Sequence, residues 1–100
     1  MKMNNNSNKF ELDFNKSLTK LSGFDLGKDM FDKQIKDKVK YNDGNIEVII
    51  PDRVDLIGSS FIQGFFEDMV NNIGISGIEK KVIIKSAIPN IKEIIIDNLN

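Results

Sequence analysis

Residues 55–66 read DLIGSSFIQGFF and place two adjacent hydroxyl side chains in front of a strongly apolar helical pattern. Ser60 followed by Gln63 matches a capping box, in which the serine oxygen accepts a hydrogen bond from the amide three residues on and the glutamine reaches back to the cap amide. A hydroxyl at a helix start can also carry a phosphate, because the free amides and the helix dipole favour negative charge there. The segment therefore indicates either a helix cap or a phosphate-accepting switch.

The composition narrows the chemistry that these serines could perform. The chain contains no histidine and no cysteine, which removes thiolate nucleophiles, disulfides and the usual zinc ligands. Ser59 and Ser60 therefore have no histidine to act as a base. Four carboxylates near them match no calcium-loop spacing: Asp52, Asp55, Glu67 and Asp68. We expect a protein that is not an enzyme and that binds no metal and no other cofactor.

Length and net charge restrict the number of domains and the kinds of partner. One hundred residues are the size of a single domain, and the net charge of −1 provides no overall field for nucleic acid or an anionic membrane. Aspartates interleave with the lysines at positions 28, 33, 36, 38 and 40, as on a solvated helix face. Residues 1–9 lack the apolar stretch of a signal peptide, and no apolar run is long enough for a membrane span. We expect a cytoplasmic protein without nucleic-acid or membrane binding.

The first half of the chain begins with a polar segment, residues 1–8, that we expect to be disordered, followed by one domain over residues 9–100. Alternating apolar side chains predict a first strand: Phe10, Leu12 and Phe14. Apolar residues at helical spacing predict an amphipathic helix over residues 25–41. The pair Asp43-Gly44 predicts a turn, and the β-branched run over residues 46–50 predicts a buried strand.

The second half continues the alternation. A helix from Ser60 should end at Gly74, the segment GISGIE should connect it to a strand over residues 82–85, and Pro89 should mark the first turn of a last helix. This alternation predicts an α/β fold: one small layered domain with a mixed sheet of about four strands and helices packed on it. The strands at 46–50 and 82–85 should be adjacent and parallel. Gly64, a glycine inside a helix, should mark a close approach to a neighbouring element.

Residues 46–99 read IEVIIPDRVDLIGSSFIQGFFEDMVNNIGISGIEKKVIIKSAIPNIKEIIIDNL. This stretch resembles the STAS-like domains of unknown function, relatives of the sulfate transporter and anti-sigma-factor antagonist domain. The strand, the SSF helix start and the later KKVII strand with its following helix carry the resemblance. It covers about half of the chain and implies a STAS-like fold.

The anti-sigma-factor antagonists of that wider superfamily carry an Asp-Ser-Ser/Thr-Gly segment, whose first serine is phosphorylated by a partner kinase that also sequesters a sigma factor. The matching serine here is Ser59, with Gly58 in place of the aspartate and Phe61 in place of the glycine. The resemblance implies a phospho-acceptor at Ser59 beside a cap formed by Ser60 and Gln63. It also implies a partner-binding edge formed by Asp55, Gly58, Ser59 and Phe61.

Two functions follow as expectations. The first is a regulatory protein-protein interaction module that resembles an anti-sigma-factor antagonist, is switched by serine phosphorylation and has a histidine-kinase-type ATPase or another regulatory protein as its partner. The alternative is a small inhibitor encoded by a phage or mobile element that binds a bacterial host protein complex. The sequence does not specify an oligomeric state.

Overall fold

The computed structural model describes residues 8–100, which contain the predicted strands and helices in the predicted order together with two short strands, Lys20–Leu21 and Leu56–Ile57, that the sequence did not predict. The elements are β1 (Lys9–Glu11), β2 (Lys20–Leu21), α1 (Phe24–Gln34), β3 (Ile46–Ile49), β4 (Leu56–Ile57), α2 (Ser59–Lys81), β5 (Val82–Lys85) and α3 (Ile91–Leu99). The disordered segment expected at residues 1–8 lies outside the described residues except for Asn8, which is buried. The result is a small α/β domain.

The strands form two small sheets, and every strand pair is parallel. One sheet has the order β1-β3-β5 and the other pairs β2 with β4. The predicted parallel pairing of residues 46–50 with 82–85 is confirmed by the register Ile46↔Val82. The mixed sheet of about four strands is not found in residues 8–100. Each strand reaches its partner through a helix, and such a crossover produces a parallel pair.

The three-stranded sheet is covered on one face. Side chains alternate along each strand, and those on the covered face are buried, such as Phe10, Val48 and Val82. The opposite face carries Glu47 and Lys85, whose Oε2 and Nζ atoms lie 3.2 Å apart. A parallel sheet usually has layers on both faces, whereas this domain has two layers and a charged outer sheet face.

The helices α1 and α2 pack backbone to backbone through two glycines. A Cβ built on Gly64 would lie 2.1 Å from the carbonyl oxygen of Phe24, and one built on Gly27 would lie 2.3 Å from the carbonyl oxygen of Phe61. The two contacts are reciprocal, because each glycine meets the residue three positions before the other glycine. Only glycine permits this approach. The close approach predicted for Gly64 is therefore confirmed, and its neighbour is α1.

Aromatic side chains fill the space beside this crossing. Phe65 lies at the centre, with its ring centroid 5.6 Å from that of Phe31 in an edge-on arrangement and 5.7 Å from that of Phe61 in a stacked one. Phe66 lies edge-on at 4.9 Å. Such pairs add about 0.5–1.5 kcal/mol to the stabilisation from burial alone. Burial of this cluster holds α1 against α2.

The prediction of one helix over residues 25–41 is wrong at its carboxyl end. The amides of Ile35 and Lys36 both donate to the Phe31 carbonyl oxygen, at 2.9 and 3.0 Å, and the chain leaves the helix there. Turns follow, in which the Val39 amide donates to the Ile35 carbonyl oxygen at 2.9 Å. The apolar side chains of this segment are therefore spaced as in a helix, although its backbone is not a regular helix. Three of the lysines therefore lie beyond α1: Lys36, Lys38 and Lys40.

Gly74 ends the first part of α2, as predicted. Its φ of 72° and ψ of 169° are not helical, and the chain resumes a helix after it. The expected GISGIE connection is wrong, because these residues form part of the second helical segment, which runs directly into β5. A buried Ile78 fixes this segment on the core. Glycine is the residue for which such a positive φ costs little.

Asn8 and Tyr41 fasten the loop between α1 and β3. The Asn8 side chain donates to the carbonyl oxygens of Lys40 and Asp43, at 2.8 and 3.0 Å, and accepts from the Lys40 amide at 2.8 Å. The Tyr41 hydroxyl donates to Asp68 Oδ2 at 2.8 Å, which ties the loop to α2. The predicted turn at Asp43-Gly44 is confirmed, with a φ of 72° at the glycine.

Replacement of Gly64 by alanine should lower the stability of the domain. The new Cβ would overlap the backbone of α1, so the two helices must separate. We expect a loss of about 1–3 kcal/mol in urea unfolding, although alanine favours a helix by about 1 kcal/mol. Asn71→Ala, at an exposed position of the same helix, should leave stability unchanged or slightly higher. Equal stabilities for the two variants would contradict a tight helix crossing.

Tyr41 is the single tyrosine in a chain without tryptophan, so ultraviolet absorbance reports its ionisation alone. Burial and then the hydrogen bond to Asp68 raise the pKa of Tyr41 above its ordinary value of 10. We expect phenolate to form at a higher pH in the folded protein than in the urea-unfolded chain. Because the folded pKa is the higher one, the contribution of Tyr41 to stability should be fully present below pH 10 and be lost as the pH rises through the folded pKa.

Asp68→Asn provides the control for this titration, since it removes the negative charge and preserves an acceptor. The pKa of Tyr41 in the folded variant should move towards the unfolded value. The same titration midpoint in the folded and unfolded wild-type protein would contradict the Tyr41–Asp68 contact.

Candidate functional site

The two-stranded sheet places the starts of α1 and α2 side by side. β2 and β4 are parallel, with Leu21 opposite Ile57, and each leads within three residues into a helix. The Gly58 amide donates to the Leu21 carbonyl oxygen at 2.7 Å. A Cβ on Gly58 would lie 3.4 Å from the Ser22 Cβ. Both helices therefore present their amino-terminal ends to the same region of the surface.

Gly58 caps α2, and the predicted capping box is wrong. The helix begins at Ser59, and no side chain makes the cap hydrogen bond; the first bond is from the Ile62 amide to the Gly58 carbonyl oxygen at 3.1 Å. Ser60 is thus the second residue of the helix, where its hydroxyl is not needed as a cap. The cause is the ladder between β2 and β4, which fixes Gly58 in an extended conformation one residue before the first serine.

The other residue of the expected cap, Gln63, points towards α3. Its Nε2 donates to the Asn98 carbonyl oxygen at 3.4 Å. Gln63 also lines a shallow cavity of about 290 Å³ together with Phe24, Val70 and Leu99. This side chain therefore belongs to the contact between α2 and α3.

The expected partner-binding edge is only partly at the surface. Ser59 and Asp55 are exposed and Gly58 is half-buried, but Phe61 is 3% exposed and stacks on Phe65 within the core. Phe61 is excluded from a partner surface, because the helix turns it towards α1. Of the four predicted residues, only Asp55, Gly58 and Ser59 are accessible at the surface.

A single ion pair flanks the serines. Lys20 Nζ lies 2.9 Å from Asp55 Oδ1, and both side chains are more than half exposed. An exposed pair of this kind contributes about 0–1 kcal/mol to stability. Its position joins β2 to β4, because Lys20 lies opposite Leu56 in the ladder. The Asp55 carboxylate is therefore already paired with a lysine of its own chain.

Three exposed apolar side chains lie close in sequence to the two helix starts and are not among the predicted site residues. Four large apolar residues within residues 8–100 are exposed; Leu56 (47%), Phe24 (39%) and Leu26 (36%) lie in β4 or the first turn of α1. We call the region formed by Phe24, Leu26, Leu56 and Ser59 the helix-start surface. The signal was available, since Phe24 and Leu26 fall outside the buried stripe of Gly27, Met30 and Phe31.

Two further observations concern the part of the chain that the structure describes. Residues 8–100 contain no group of three or more acidic, histidine or cysteine side chains arranged to hold a metal ion. None of their helices combines the length and apolar character that a membrane span requires.

No protein-family model, curated protein or solved structure matches this chain.

Loss of either serine hydroxyl should have little effect on folding. Since Gly58 occupies the cap position, we expect Ser60→Ala and Ser59→Ala each to change the free energy of unfolding by less than about 0.5 kcal/mol. Loss of a true serine cap would cost about 1 kcal/mol. Urea unfolding of the two variants and the wild type would measure the difference. A loss of about 1 kcal/mol in Ser60→Ala, with no loss in Ser59→Ala, would show that Ser60 caps the helix.

Proposed function

We propose that this domain is a non-enzymatic regulatory module that binds a protein partner at the helix-start surface and is switched by phosphorylation of Ser59. The observation that carries the proposal is the exposure of Ser59 at the start of α2, in a region where β4 and the adjacent start of α1 carry three exposed apolar side chains. Apolar residues gathered at one place on a surface are typical of an interaction site. In this role the domain would act as the STAS-like anti-sigma-factor antagonists do.

The position of Ser59 supports its use as a phospho-acceptor. The hydroxyl lies on the first turn of α2, exposed to solvent, so a kinase could reach it without unfolding the helix. A phosphate there would lie at the positive end of α2, which stabilises an anion by about 0.3–1 kcal/mol at an exposed site. Such a site is compatible with the modification, while the added charge three residues after Leu56 would weaken an apolar contact with a partner.

A binding role fits the chemistry available at this surface better than catalysis. The chain has no histidine, and the charged side chains closest to Ser59 in the ladder, Lys20 and Asp55, pair with each other. A kinase that uses ATP would act from the cytoplasm, where we place this module. The partner would be that kinase, of the histidine-kinase-type ATPase class, or another regulatory protein.

The proposal can be tested with the protein isolated from its host and with charge variants. Mass spectrometry of the isolated protein should detect a phosphate on Ser59. Affinity capture from host lysate should recover a partner with the wild type and Ser59→Ala, and recovery should fall with Ser59→Asp. Because the aspartate lies at a helix start, Ser59→Asp should melt at the same temperature as the wild type or slightly higher.

Ser76→Asp is the matched control, since Ser76 is an exposed serine in the second segment of α2. Its partner recovery should equal that of the wild type. Leu56→Ser tests the apolar part of the surface and should reduce recovery without lowering stability by more than about 0.5 kcal/mol. Equal recovery with Ser59→Asp, Leu56→Ser and Ser76→Asp would rule out this surface as the binding site.

A further inference from the structure

Among residues 8–100, no backbone group pairs with the outer edge of β1, whose register is defined by its bonds to β3. The Glu47 amide donates to the Asn8 carbonyl oxygen at 2.8 Å, and the Leu12 amide donates to the Ile49 carbonyl oxygen at 2.9 Å. These bonds show that β1 turns residues 8, 10 and 12 towards β3. Since successive backbone amides point in opposite directions along a strand, Lys9 and Glu11 turn their N–H and C=O groups to the outside.

Two residues beyond Glu11, the edge is already closed. Gln34, the last residue of α1, accepts from the Asp13 amide at 2.8 Å and donates to the Asp13 carbonyl oxygen at 2.7 Å. Its amide takes the place that a neighbouring strand would take. Within residues 8–100 the open edge therefore consists of Lys9 and Glu11, whose side chains are both exposed.

There is room for another strand beside this edge. An open groove of about 700 Å³ runs along β1 and is lined by Lys9, Glu11, Gln34 and Lys33 among other residues. An edge strand next to such a groove can be extended by an added strand, which gains main-chain hydrogen bonds. The charges of Lys9 and Glu11 restrict which strand can be added.

We propose that the added strand is β1 of a second copy of this chain, in an antiparallel pair with a twofold axis at Phe10. In this register Lys9 lies opposite Glu11 of the second copy, and Glu11 lies opposite Lys9. Both residues direct their backbone groups outwards, so each of the two pairs can exchange two N–H to O=C hydrogen bonds. The two three-stranded sheets would join into one sheet of six strands.

The charge pattern of β1 favours this occupant. An antiparallel twofold pair places residue 9 opposite residue 11, and here these residues carry opposite charges on the same sheet face. Opposite charges directly across an antiparallel pair stabilise it, and like charges would oppose it. The surface is thus complementary to itself, as a twofold interface requires. It is separate from the helix-start surface and does not depend on the function proposed there.

Sedimentation velocity over a range of protein concentrations tests the proposal. The wild type should pass from monomer to dimer as concentration rises, and added salt should weaken the dimer because the pairs are exposed. Glu11→Lys and Lys9→Glu each place like charges in both pairs and should raise the dimer Kd by about tenfold or more. The double variant Lys9→Glu/Glu11→Lys restores opposite charges and should recover most of the wild-type affinity. Glu93→Lys, at an exposed position of α3, is the control and should dimerise as the wild type does.

Amide hydrogen exchange on the unaltered protein gives a second readout that does not depend on the variants. The Lys9 and Glu11 amides should exchange more slowly as dimer accumulates, while the Phe10 amide, bonded to β3 in either state, should not change. A wild type that stays monomeric at every concentration would overturn the proposal. A dimer whose Kd is unchanged by either single charge reversal would also overturn it. The same holds if protection of the Lys9 and Glu11 amides does not depend on protein concentration, or if it appears only when another protein is added.

Discussion

The direct backbone contact between α1 and α2 at Gly27 and Gly64 determines the arrangement of this domain. Because each glycine meets a carbonyl oxygen of the other helix, the two axes approach closely and the phenylalanine rings fill the space beside the crossing. Lys28 spans the same interface, and its hydrogen bond to Glu67 and the nearby charge of Asp32 raise the pKa of Lys28. The crossing continues the alignment that the β2-β4 ladder imposes on the two helix starts, so both contacts together fix the helix-start surface.

The sequence predicted the order of the longer elements and the pairing of the two β-branched strands, since these depend on side-chain periodicity within a short segment, but it missed β2 and β4. It also identified Gly64, whose cost inside a helix requires a compensating contact. It did not identify the partner glycine, although the motif Phe-x-x-Gly occurs twice, at residues 24–27 and 61–64. Recognition of Gly27 requires knowledge of which helices cross, and that information is tertiary.

The errors at the candidate site have a similar cause. A capping box depends on where the helix begins, and the short ladder between β2 and β4 moved that start from Ser60 to Ser59. A two-residue strand is too short to produce a periodic signal, so the shift could not be predicted. Phe61 was assigned to the surface through a family motif, whereas its position on the buried face of α2 follows from the spacing of its apolar neighbours.

The all-parallel pairing has a consequence for the rate at which the chain folds. Residues 36 to 38 positions apart face each other in all three strand pairs: Lys9↔Glu47, Lys20↔Leu56 and Ile46↔Val82. No pair can form as a local hairpin, and each requires closure of a long loop before its hydrogen bonds contribute. Chains dominated by such non-local contacts fold more slowly than helical bundles of similar size. Early formation of α1 and α2, whose contacts with their own neighbours are local, would shorten the search by bringing the ends of each loop together.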